Sequence, residues 1–154
     1  MNSYKINETP KATGLVTVVK TNSFGETVEQ FTVPNLVVTT GKAHIAEKIV
    51  AGPGVPTSMS NMAIGTGSAN PAAGDTALGT EVNRQVLSGS QVNGSQITYT
   101  AQFAAGEGTG AITEAGIFNS NTSGGGTMLC RVVFPVVNKG SGDSIAITWT
   151  VTIS

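Results

Sequence analysis

The sequence predicts an all-β fold: an antiparallel β-sandwich or barrel, jelly-roll-like, with one short α-helix. Three observations carry this. In DSIAITWTVTI, Ile145, Ile147, Trp149, Val151 and Ile153 hold every odd position, while threonines fill 148, 150 and 152. Side chains alternate faces along a strand, so this stretch has one apolar and one polar face. Turn-forming Gly, Asn and Ser clusters recur at roughly ten-residue intervals, as in sandwiches and barrels. Only TTGKAHIAEKIVAGPG changes to helical spacing.

Residues 1–13 are polar and unpatterned, an extended N-terminal arm ahead of one β-rich domain, 14–154. GLVTVVKTNSFGETVEQFTV reads as a hairpin of strands 14–20 and 27–33 turning at TNSFGE, with a further strand at 35–39. A helix is expected from Thr40 to Ala51. Ile45, Ala46, Ile49 and Val50 form its apolar stripe, Thr39 or Thr40 its cap, and Gly52-Pro53 its stop. Strands are expected at 60–66, 81–88 and 96–104, the last with Ile97, Tyr99, Ala101 and Phe103 in register. A second hairpin pairs 110–119 with 127–134 through NSNTSGGG, and 143–153 closes the chain. The expected core gathers Trp149, Ile147 and Val151 with Phe103 and Tyr99.

Apolar residues make up 39% of the 154, but charged residues only 11%, under half of the usual ~25%. Two readings fit: a surface that faces other protein, or a Thr/Ser/Asn-rich surface that stays soluble without charge. Eight Lys and Arg are scattered singly and the net charge is −1. Phosphate recognition needs clustered cations, so nucleic acid is not an expected partner, and the same dispersion argues against anionic membranes. The N-terminal stretch lacks a signal-peptide apolar run, and the single Cys130 cannot form an internal disulfide. Synthesis in a reducing cytoplasm is therefore expected.

MAIGTGSANPAAGDTALGTEV (Met62 to Val82) poses the functional question. Gly65 and Gly67 fit the first two places of a dinucleotide fingerprint, but Asn70 stands third and Pro71 follows. Gly41-Lys42 is followed by Ala43, which fails the phosphate-loop pattern. These glycines read as loop glycines adopting positive φ. His44, the only histidine, reads as a helix-surface residue, and Cys130 as a small buried hydrophobe. No carboxylate cluster suggests a metal site or cofactor, although a glycine loop could take an incidental calcium. Glu114, inside the apolar ITEAGIF, faces Arg131 across the second hairpin. Such a cross-strand pair contributes only a fraction of ~1 kcal/mol if exposed. No second carboxylate is nominated for glycoside hydrolysis, so no catalytic residue is expected.

NLVVTTGKAHIAEKI, MAIGTGSANPAAGDTALGTEVNRQ, ITYTAQFAAGEGTGAITEAGIFN and MLCRVVFPVVNKGSGDSIAITWTVTIS, in this order and spacing, resemble small tailed-bacteriophage virion proteins. That group includes capsid decoration proteins and tail-fibre proteins, and it has no shared catalytic motif. The resemblance runs from about residue 14 to the C-terminus. It implies a virion structural protein without enzyme activity or cofactor. The first expectation is a decoration (cement) protein that binds the major capsid protein as a homotrimer. The alternative is a tail-fibre, neck or baseplate module contacting a host receptor or tail proteins, and a polysaccharide hydrolase is the minor one. Tyr4, Lys5 and Ile6 of the arm are the expected partner contacts.

Overall fold

The computed structural model describes residues 9–50 and 52–154. Tyr4, Lys5 and Ile6 therefore lie outside the described residues. The elements are β1 (Ala12–Thr21), β2 (Thr27–Val37), α1 (Thr39–Ile49), β3 (Asn61–Gly65), β4 (Glu81–Val86), β5 (Gly89–Asn93), β6 (Gln96–Phe103), β7 (Gly110–Phe118), β8 (Met128–Lys139) and β9 (Ser144–Ile153). All nine strands join one antiparallel sheet in the order β4-β3-β7-β8-β2-β1-β9-β6-β5, curled into a half-barrel.

The period-two pattern of β9 puts Ile145, Ile147, Trp149 and Val151 in the core. Its neighbours follow suit. Trp149 pairs with Val16 on one side and Tyr99 on the other, and Ile147 pairs with Val18 and Ala101. Directly paired residues share a face of the sheet, so the expected inward set, including Phe103 and Tyr99, meets inside the curl.

Several boundaries differ from the sequence reading. β1 begins at Ala12, not after Thr13, because Lys11 and Ser154 exchange both backbone hydrogen bonds and extend the β1–β9 ladder. The expected strands 27–33 and 35–39 are one: Pro34 is accommodated within β2 opposite Leu15. β5 has no apolar periodicity and every residue of it is exposed, so only its pairing with β6 defines it.

The helix is also seated differently. Neither Thr39 nor Thr40 caps it. Val38 is the N-cap residue and makes no side-chain cap bond. The Thr39 amide instead donates to Ala73 O, and Thr40 Oγ1 donates to Met128 O. Gly41 and His44 are the buried positions, whereas Ala46, Ile49 and Val50 face outward. The cause is Gly41: a Cβ there would collide with the Leu129 backbone, so a bare glycine lets helix and β8 touch backbone to backbone. That contact rotates the Ile49 stripe away from the core.

Candidate functional site

The loop between β3 and β4 closes on a single buried carboxylate. Glu114, on β7, is 0% exposed. Its Oε1 accepts from the amides of Gly67 (2.9 Å) and Thr80 (2.8 Å). Its Oε2 accepts from the Gly79 amide (2.9 Å) and from Nε (3.1 Å) and Nη2 (2.8 Å) of Arg131. Arg131, 3% exposed, then reaches back into the loop. Nη1 donates to Asp75 Oδ2 and Nη2 to Ala69 O. Thr113 Oγ1 adds a bond to Gly67 O, and Thr66 N to Thr80 O closes the neck.

Register explains how the pair forms. Arg131 lies directly opposite Gly116, and Glu114 opposite Val133. The two charges are thus diagonal neighbours on one face, within reach of long side chains. The cross-strand pair expected from sequence forms, and it is buried rather than exposed. Burial beneath the loop makes its bonds strong and their loss costly.

The glycines of this loop act differently from the sequence reading as well. Gly65, Gly67, Gly74 and Gly79 do not have positive φ. Gly65, Gly67 and Gly79 are close-approach positions, whereas Gly74 is open. A Cβ on Gly67 would strike the Glu114 carboxylate, and one on Gly65 the Thr80 carbonyl. Backbone N–H groups do converge on an anion here, as in a phosphate loop. The anion is the protein's own. By contrast, Gly106, Gly108 and Gly110 in the β6–β7 turn have φ of 82°, 67° and 142°, where glycine is favoured.

Protonation follows from these contacts. Burial pushes the Glu114 carboxyl up, but the three amides and Arg131 outweigh it and hold the pKa below its ordinary value. For Asp75 the Ala72 amide leads in lowering the pKa, with Arg131 adding to it. Burial lowers Arg131, yet Glu114 and Asp75 raise it above its ordinary value. Glu114 is an ionised, saturated acceptor with no opening to a substrate. Its role is to tie loop to sheet.

A second ion pair was not foreseen. Arg84 binds Glu81 through two bonds of 2.8 Å, donates to Ser120 O and Gly125 O, and lies 3.9 Å over the Phe118 ring. Residues three apart on a regular strand face opposite ways. Here the ladder slips between Ile64 and Gly65, which pair with Asn83 and Glu81 respectively. The extra residue brings both charges to one side. No sequence spacing signals such a bulge. Lys139 was also missed, although it falls in alternation with buried Val137. It is 2% exposed, and its Nζ donates to Ala104 O.

Cys130 is fully buried, which pushes its thiol well above its ordinary pKa and keeps it protonated. His44 is not a surface residue: it is 5% exposed, and burial followed by the Lys48 charge lowers its pKa. It lies on the wall of an open, mainly apolar groove of about 750 Å³ between α1 and the β5–β6 hairpin. Ile45, Ile49, Met59, Val92 and Tyr99 also line it. Burial raises the Tyr99 hydroxyl to about 12, so it stays protonated. Among the described residues, no three His, Cys, Asp or Glu side chains gather as a metal-holding group.

No family model, curated protein or solved structure matches the chain.

Proposed function

We propose that this chain is a structural subunit of a tailed-phage virion, seated on the head as a decoration protein that reinforces the capsid lattice. One observation carries the reading beyond the sequence resemblance. β5 ends the sheet with Gly-Ser-Gln-Val-Asn, fully exposed and without charge, proline or bulge. Soluble monomers blunt such edges to prevent pairing with other chains. An unguarded edge suits a protein that works in contact with further subunits. Closed symmetric association is the usual outcome, and a homotrimer matches the threefold positions of a capsid lattice.

The buried charges support a non-catalytic role. Glu114 and Arg131 are engaged with the 66–80 loop, and Glu81 and Arg84 with the 120–125 turn. Function then resides in surfaces rather than in a reaction centre. The test is binding of purified protein to undecorated heads, with isolated tails as control, and antibody labelling of whole particles. Saturable binding to heads and label on the capsid surface are expected. Binding to tails alone would replace this reading with a tail-fibre, neck or baseplate module. Degradation of capsule or peptidoglycan by the pure protein would replace it with a hydrolase.

A further inference from the structure

We propose that the groove between α1 and the β5–β6 hairpin binds an aliphatic monocarboxylate of medium chain length. Its hydrocarbon chain lies along the apolar walls, and its head group meets Lys48 and His44. This binding does not rest on the virion reading.

The groove exists because the curl of the sheet is left open on this side. β5 ends the sheet, and the backbone contact at Gly41 draws α1 onto β8. Helix and end strand thus face each other across a gap whose floor is the core. Buried Tyr99, Leu129 and Val151 line it from β6, β8 and β9. At about 750 Å³ the space falls within the range of small-molecule sites, which are mainly apolar with a few polar groups.

The walls select the tail. Ile49 on α1 is 82% exposed and Val92 on β5 70%, and both line the groove. Aliphatic side chains on both sides, with an adaptable Met59 beside them, fit a flexible hydrocarbon chain. Covering them removes apolar surface from water, which drives association.

The polar groups select the head. His44 and Lys48 stand one turn apart on α1 and line the same groove. Lys48 Nζ donates to Ser58 Oγ, also a lining residue, at 3.2 Å. Among the described residues no Asp or Glu lines the groove, and Lys48 has no ion-pair partner. Glu47, its neighbour in sequence, lines a separate hollow. His44 is buried, and its Nδ1 has no hydrogen-bond partner among the described residues. A buried polar atom of this kind calls for a partner. Burial, then the Lys48 charge, favours the neutral imidazole, which donates from Nδ1 in one of its two tautomers. A carboxylate matches this set: one negative charge for one ammonium, and a second oxygen for the ring N–H. A phosphate monoester would bring a further charge with no cation to meet it, and an amine would meet Lys48 with like charge.

The experiment titrates decanoate, octanoate and decanol into the full-length, isotope-enriched chain. Amide and imidazole nitrogen spectra are the readout. Decanoate should shift the Ile49, Met59 and Val92 amides saturably and move the Nδ1 signal of His44, the only histidine. Octanoate should bind several-fold more weakly, because it buries fewer methylenes. Decanol, which lacks the charge, should also bind several-fold more weakly. Lys48 is exposed, so Lys48→Gln removes no packed group. It should weaken decanoate several-fold and bring it level with decanol. Ile49→Ser should weaken decanoate and decanol alike. Shifts that do not saturate, an unmoved His44 signal, or equal binding of decanoate and decanol would overturn the proposal. So would full decanoate binding by Lys48→Gln.

Discussion

Glu114 and Arg131 meet at 2.8 Å beneath the 66–80 loop, one 0% and the other 3% exposed, and between them they hold that loop at Gly67, Ala69, Asp75, Gly79 and Thr80. Breaking one half of a buried pair leaves the other charge without its partner. Glu114→Gln should therefore lower stability by about 3–5 kcal/mol, and the check is the midpoint of urea unfolding. A change within ~1 kcal/mol, the range of exposed pairs, would show that the pair is solvated in solution.

The same contacts predict an acid limb. Glu114 and Asp75 both have folded pKa values below their ordinary ones, 4.5 and 3.8. A depressed carboxylate binds fewer protons folded than unfolded, so its stabilisation is complete above the unfolded value. It is lost as pH falls through the folded one. Thermal midpoints should hold down to about pH 5 and drop below it. The drop should be shallower in Glu114→Gln, which has already lost one of the two groups.

Gly67 and Gly74 separate two roles of glycine within one loop. A Cβ at Gly67 meets the Glu114 carboxylate and the Gly79 Cα, whereas one at Gly74 meets nothing within 4 Å among the described residues. Gly67→Ala should destabilise by about 1–3 kcal/mol, as overpacked sites do. Gly74→Ala should be neutral or stabilising by up to ~1 kcal/mol, through the unfolded chain's lost freedom. Differential scanning calorimetry of the two variants tests the contrast, and equal effects would contradict the loop geometry.

Trp149 is fully buried between Val16 and Tyr99, and its Nε1 has no hydrogen-bond partner among the described residues. Trp149→Ala should cost about 3–5 kcal/mol in chemical unfolding, the range for large core truncations. Trp149→Phe should cost much less, because it keeps an aromatic body and removes an unpaired donor. A near-neutral Trp149→Ala would count against this strand register.

Arg84→Lys tests the bulge-built site. A lysine cannot reproduce the two bonds to Glu81 together with those to Ser120 O and Gly125 O. The substitution should raise hydrogen exchange in the 120–125 turn while leaving amides of β1 and β9 protected. Uniform loss of protection would mean that the turn is held by other contacts.

The sequence by itself determined the all-β class, most strand positions and the inward set on β6 and β9. These depend on alternation, and alternation is a local property that one face of a buried strand imposes on every second residue. It also marked Glu114 and Arg131 as partners, because a hairpin brings its own strands together. Only the tertiary structure decided what that pair is for. The loop contacts lie 34 to 47 residues from Glu114 and 56 to 62 from Arg131 along the chain, and no local pattern encodes them. The same holds for α1, where the apolar stripe predicted one buried face and backbone contact at Gly41 selected another. It holds for Arg84 and Glu81, brought to one side by a one-residue slip, and for β5, defined only by its partner. Local periodicity specifies which face of an element is apolar. Which elements meet, and how closely their backbones approach, is settled by packing between residues far apart in sequence.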